Sequence, residues 1–321
     1  MFVLIFQIII NLSSDFGVEI NKTFKKKVLN YIMSYIVSID LGGTTFSFII
    51  FSNKNIIYKS ETYEIKKYNN HSDFLIKLSM LIKKEINENK IDLIGIACPG
   101  PLNSETGEIL NTPNLKILQN VNIKNEMKKY IKCKNILIEN DANVFAIGSY
   151  NFLIKNNVNL NSSDILLGVT LGTGMGFGII INNKLFKGSY GMAGEYELSP
   201  LDKDLTWANL VGYKFFHKRT EEIFGKILTP KQLYDLAEKN NLDSIKIWNE
   251  YGTNIGLCLT HVMCVINPNY ISIGGGISKA NKYFHDSIIK ILEDKCLIYN
   301  KKLVNIIYDI NEISNIFLGW I

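Results

Sequence analysis

Residues 164–182 read DILLGVTLGTGMGFGIIIN. An apolar run breaks at four alternating glycines, Gly172, Gly174, Gly176 and Gly178, and resumes as a second apolar run. That is the pattern of a buried strand, a tight turn and another strand. Two familiar phosphate motifs fail on context: the stretch is not G-x-x-x-x-G-K-[ST], and no helix opens directly after it. Two readings of Leu171–Gly178 stay open. The turn is a nest of backbone N–H groups for phosphate, or it is a hairpin crowded against another strand.

The same arrangement stands earlier in the chain. YIVSID (35–40) and FSFIIFS (46–52) flank Asp40-Leu41-Gly42-Gly43-Thr44-Thr45. Asp40 can hold Mg²⁺ through water, and Thr44 and Thr45 can donate to phosphate oxygens; a plain hairpin accounts for the glycines as well. A third turn, Ile273-Gly274-Gly275-Gly276-Ile277-Ser278, follows the strand YISIG. It serves helix entry, or it lets a flat adenine ring lie against bare backbone.

Between these turns the periodicity predicts strands at 55–63, 92–97, 135–139 and 184–188. It predicts helices at 72–89, 123–131, 205–219, 230–239, 243–266 and 281–293. The helix at 72–89 carries Phe74, Leu75, Leu78, Leu81, Ile82 and Ile86 on one face. Strand, glycine turn, strand and then helices occur twice, which predicts an α/β chain of two similar lobes with a nucleotide held in the cleft. Asp141 follows the strand NILIE and opens the helix DANVFAIGSY. It is placed to take a proton from a hydroxyl, or it is only a helix N-cap.

The 321 residues suffice for two ordinary cores, and 47% hydrophobic with 20% charged residues is a globular balance. The net charge of +5 is scattered, with its densest run at Lys25-Lys26-Lys27. No basic stripe marks a nucleic-acid partner. The five cysteines form no C-x-x-C pair and fit reduced cytoplasmic thiols. His71, His217, His261 and His285 have no second ligand at metal spacing, and Phe215 and Phe216 read as core. The apolar start, MFVLIFQIII, is too short to cross a bilayer. Residues 1–32 are expected outside the fold, with lobes at 33–139 and 140–321 and the last residues packing back on the first lobe. No membrane partner is expected.

Five ordered segments, SIDLGGTTFSF, GIACPGPLNSETGEILNTPNL, ILIENDANVFAIG, VTLGTGMGFGIIINNKLFKGSYGMAGE and INPNYISIGGGIS, resemble the ROK (repressor, open reading frame, kinase) group of sugar kinases. That group belongs to the hexokinase–actin superfamily. The resemblance runs from about Tyr35 to near the C-terminus. It implies two actin-like, ribonuclease H-like lobes, ATP with Mg²⁺, and phosphorylation of a hexose as by a glucokinase. The alternatives are an N-acylhexosamine or fructose kinase, or a catalytically impaired sugar sensor. At matching positions it implies Asp40, Gly42, Gly43 and Thr44 as a first phosphate motif, and Gly172, Thr173 and Gly174 as a second. Gly274, Gly275 and Gly276 match the adenosine motif. Asp141 matches the catalytic base, and Asn140, Glu195 and Asn114 match sugar contacts. Dimerisation is common in the group.

The departures cluster at the sugar site. Leu198 stands where the group has a sugar- and zinc-binding histidine, and the cysteine segment of its zinc site is missing. Trp207 or Ala208 stands where a second sugar-binding Glu is usual. No zinc is therefore expected, and the sugar pocket is expected to be loose. The final SNIFLGWI stops where the group usually has a terminal helix, and a DNA-binding helix-turn-helix has no pattern in residues 1–32.

Overall fold

In the computed structural model the described residues are 34–112, 115–189, 191–309 and 314–321. The expected N-terminal extension and Asn114 both lie outside them. Buried apolar side chains run along one face of β1 (Tyr35–Leu41) and both faces of β2 (Thr45–Ser52), which pair antiparallel through the first glycine turn. The expected third strand breaks at Ser60, whose Oγ accepts the Phe48 N–H, leaving β3 (Asn55–Lys59) and the short β4 (Tyr63–Glu64). Then come α1 (His71–Glu85) and β5 (Ile91–Cys98). A small sheet follows, made of β6 (Leu102–Asn103), β7 (Glu108–Ile109) and β8 (Val121–Asn122). After α2 (Ile123–Lys128) come β9 (Asn135–Asn140) and α3 (Asp141–Lys155).

The order then repeats. β10 (Leu166–Leu171) and β11 (Met175–Ile181) form the second glycine hairpin and β12 (Lys184–Leu185) extends it. Two short strands, β13 (Pro200–Asp202) and β14 (Leu205–Thr206), precede α4 (Ala208–Val211), α5 (Tyr213–Phe224), α6 (Pro230–Ala237) and α7 (Leu242–Ile266). β15 (Tyr270–Gly274), α8 (His285–Lys295), β16 (Asn305–Tyr308) and α9 (Asn315–Leu318) complete the described chain.

The two large sheets share one topology. One runs β3-β2-β1-β5-β9 and the other β12-β11-β10-β15-β16. In each, the leading hairpin is antiparallel and the next two strands add in parallel. This is the duplicated α/β architecture expected from the two glycine hairpins. α1 and α2 cover one face of the first sheet, with Phe46, Phe48, Phe74 and Ile96 in that core. The largest core lies on the second sheet under α5, α7 and α8, around Phe216, Trp248, Tyr251 and Phe284.

The predicted helix at 205–219 is not continuous. Leu205–Thr206 pairs as a strand, and Gly212 separates α4 from α5 in an extended conformation, φ −108° and ψ −170°. A Cβ at Gly212 would press on the carbonyls of Thr173 and Ala208, and the next N–H, of Tyr213, donates to Thr173 O at 3.0 Å. The break therefore seats α5 on the second glycine turn. Likewise, residues 276–283 form a 3₁₀ turn, so α8 opens at His285 and not at 281.

The last residues return to the first sheet. Phe317 packs with Ile49 and Phe51, and the Trp320 indole fills the space over Gly95. α9 also crosses α3, where a Cβ at Gly148 would collide with the Asn315 carbonyl. An interior Gly→Ala ordinarily strengthens a helix by about 1 kcal/mol. Gly148→Ala should instead destabilise by about 1–3 kcal/mol, the scale of an overpacked contact. Urea unfolding checks this, and an equally stable variant would contradict the packing.

Candidate active site

Four features converge on a cavity of ≈ 300 Å³ between the sheets: the two hairpin turns, the N-terminus of α3, and the turn after β15. Asp40, Gly42 and Gly43 face it from the first turn, with Gly42 N–H closing that turn on Thr45 O at 2.8 Å. Thr44 and Thr45 are not among its lining residues. Gly172, Thr173 and Gly174 face it from the second turn, closed by Gly172 N–H on Gly174 O at 2.9 Å. Gly275 and Gly276 face it from the third turn. Gly274 does not; its missing side chain leaves room for the Phe145 ring.

The four alternating glycines divide between three tasks, Gly174 leaving room for the Glu197 carboxylate. A Cβ at Gly172 would meet nothing, so this residue borders open space in the cavity. Cβ atoms at Gly176 and Gly178 would come within 2.8 Å and 2.7 Å of the Ala142 and Ala146 side chains on α3. Gly168 on β10 likewise faces Ala146. These glycines let the helix lie directly on the strands.

Asp141 is the first residue of α3, and the cap before it is Asn140. The Asn140 Oδ1 accepts the N–H groups of Ala142 at 2.9 Å and Asn143 at 3.3 Å. Asp141 Oδ1 also accepts the Ala142 N–H at 2.8 Å, and the carboxylate faces the cavity. Asn140 is therefore the cap, and Asp141 adds a second acceptor at the same helix end. Asn140 Nδ2 and Glu195 Oε1 both point at Gly100, 3.2 Å and 3.4 Å from where a Cβ would stand. One face of the cavity thereby offers an amide donor and a carboxylate acceptor side by side.

Glu195 follows Gly194, whose φ of +93° favours glycine, and it leads into the 3₁₀ turn Tyr196–Leu198. The same turn brings in Glu197, whose Oε2 accepts the Met175 N–H at 2.6 Å against the second glycine turn. Asp40, Asp141, Glu195 and Glu197 thus share one cleft, and each titrates above its ordinary range. Burial pushes Asp40 up to about 7, helped by the charge of Asp141. Burial raises Asp141, opposed by the backbone N–H groups at its helix end. Burial and the neighbouring acids Glu197 and Asp141 raise Glu195. Glu197 is raised by burial and by Asp141, against the Met175 hydrogen bond. Among the described residues no three His, Cys, Asp or Glu are gathered to hold a metal ion.

Leu198 is 57% exposed and does not line the cavity. Trp207, 3% exposed, belongs to an aromatic cluster instead. Its ring meets His261 edge-on at 5.3 Å, and the Tyr196 hydroxyl hydrogen-bonds His261 Nδ1 at 3.0 Å. This cluster ties the turn carrying Glu195 and Glu197 to α7.

A second pocket of ≈ 430 Å³ adjoins the first at Gly276. Tyr213, Tyr234, Trp248 and Ile277 give it apolar, flat walls, and the buried Trp248 Nε1 has no partner. Residue-by-residue reading misses this pocket, because its aromatics come from three separate helices. Its local signal is the Thr229–Gln232 capping box with Pro230, which starts α6 so that Tyr234 faces inward.

Comparisons with known proteins agree with this geometry. The model of the ROK family matches residues 36–311. A glucokinase of Thermotoga maritima is 25% identical over 272 residues, covering 77% of this chain and 83% of that protein. An N-acetyl-D-glucosamine kinase of Histophilus somni is 25% identical over 274 residues, covering 79% and 87%. A ROK family glucokinase from Streptomyces griseus, solved in complex with glucose and AMPPNP, superposes with a TM-score of 0.73 at 18% identity. That superposition covers 89% of this chain and 97% of the other.

Proposed function

Because the chain belongs to the ROK family, we propose that it transfers the γ-phosphoryl group of ATP to a hydroxyl of a hexose or N-acylhexosamine. The observation that carries this reading is the convergence of Asp141 with both glycine turns on one cavity. Backbone N–H groups of the turns at Gly42–Gly43 and Gly172–Gly174 hold the phosphates. Gly275, Gly276 and the aromatic pocket take the adenine. Asn140 and Glu195 bind sugar hydroxyls in front of Gly100.

The carboxylate of Asp141 accepts the proton of the attacking hydroxyl as its oxygen bonds to phosphorus and the bond to the ADP oxygen breaks. Burial favours this step, since a carboxylate poorly solvated as an anion is a stronger base. Helix N–H groups oppose the effect of burial and orient the carboxylate.

Mg²⁺ fits the donor set, being a hard cation held by one or two carboxylates together with substrate phosphates. Asp40 would hold it, and bound there it would offset triphosphate charge in an acidic cleft. Zinc has no counterpart donor at Leu198. The division at 139/140 belongs to the same proposal, as do a homodimer and a cytoplasmic location. All five cysteines are free thiols, and no helix among the described residues is long and apolar enough to cross a membrane.

One observation favours a second reading. Glu197 already occupies the Met175 N–H in the second turn, as befits a sugar-binding sensor with impaired turnover. Two variants test the kinase reading. Asp141→Asn should retain fold and sugar binding and lose turnover by about 10²-fold or more; a coupled ADP-release assay reads it, and near-normal turnover would remove Asp141 as the base. For the nucleotide, Gly174 is unsuitable because its missing side chain makes room for the Glu197 carboxylate. Gly172→Val, which points into open space, should fold normally and weaken ATP binding about 10-fold or more by closing the backbone approach. Unchanged ATP affinity by calorimetry would contradict the second turn as a phosphate site.

A further inference from the structure

Glu139 sits one residue before the Asn140–Asp141 pair and is only 6% exposed. A carboxylate so buried is costly unless it is paired and hydrogen-bonded. Its Oε1 accepts the Asn140 backbone N–H at 3.0 Å and Asn143 Nδ2 at 3.1 Å. Its Oε2 meets Lys187 Nζ at 2.5 Å. Both Asn140 and Asn143 belong to the first turn of α3, so one carboxylate grips the helix end that carries Asp141.

Lys187 comes from the other sheet, just past β12. Its Nζ also donates to Ser104 Oγ at 3.0 Å, in the turn between β6 and β7. Lys124 braces that turn from α2, donating to the carbonyls of Ser104 at 2.7 Å and Glu105 at 2.8 Å. The Lys187 carbonyl accepts the Ala193 N–H at 3.1 Å. That bond closes the loop which ends at Gly194 and presents Glu195. Gly188, Gly191 and Gly194 in this loop all have positive φ.

We propose that the Glu139–Lys187 pair is a positioning device that holds the Asp141 end of α3 in register with the loop presenting Glu195. Neither residue lines the cavity. They act through the residues that do, and the pair spans the two halves of the chain. This inference rests on the sugar-kinase reading for its catalytic consequence, while its structural content stands apart from that reading.

The test compares the full chain with Lys187→Met, Glu139→Gln and Lys187→Arg. Deuterium exchange by mass spectrometry should rise about fivefold or more in residues 140–146 and 188–196 together in the Met and Gln variants. It should stay near the parent in the Arg variant, which keeps the charge. In turnover, the sugar KM should rise and kcat fall, about 10-fold in kcat/KM, with the ATP KM within about twofold. Lys187→Met leaves a buried charge unpaired. If it does not fold, Glu139→Gln, which keeps the shape without the charge, carries the comparison. Unchanged exchange in both segments of a folded variant would overturn the proposal, as would an Arg variant as impaired as the Met variant. If the parent chain phosphorylates none of the sugars tried, the kinase reading fails, and the exchange measurement still decides the pair.

Discussion

The close approach of α3 to β10 and β11 decides where everything else sits. Ala142 and Ala146 lie on strands whose facing positions, Gly168, Gly176 and Gly178, carry no side chain. A Cβ there would stand 2.7–2.8 Å from these alanine side chains, so the helix or strand would have to shift, because packed interiors have no slack to absorb it. The helix begins at the end of the first sheet and lies on the second, so this contact fixes Asp141 relative to the second glycine turn. α9 then crosses α3 at Gly148 and reaches the first sheet through Phe317 and Trp320. One helix therefore relates both sheets to the cavity between them.

The electrostatics follow from that geometry. Four carboxylates face one cleft and all are pushed toward the neutral form, chiefly by burial. Such a cluster suits a site that works with a cation and a polyanion, where added positive charge relieves the repulsion. Glu139, more buried than any of the four and outside the cavity lining, has its own lysine and two hydrogen bonds. The aromatic cluster of Tyr196, Trp207 and His261 similarly secures the Glu195–Glu197 turn by packing and one hydrogen bond.

Much of this was legible in sequence, for physical reasons. Strands such as β1, β2 and β10 stand out because apolar runs border glycine turns, and their register follows from the turn. Asn140, Asp141 and Glu195 came from the family motif, and the fold brings all three to one cavity. What stayed hidden depends on distant partners. Gly212 breaks a helix because Thr173 lies against it, and nothing near residue 212 announces that contact. Gly176 and Gly178 look like phosphate glycines and are helix-packing glycines, a distinction that exists only once α3 is in place. Glu197 holds a backbone N–H of the second turn, a contact between residues 22 positions apart that nothing near Glu197 announces. β16 and the two-residue strands of the small sheet are too short or too exposed for alternation to reveal.

The central claim is that this cleft moves a phosphoryl group from ATP to a sugar. Phosphorus NMR of the purified chain with ATP, Mg²⁺ and either glucose or N-acetylglucosamine tests it most directly. The account predicts a sugar phosphate monoester resonance growing one for one with ADP. Release of inorganic phosphate alone, or bound sugar with intact ATP, would contradict it.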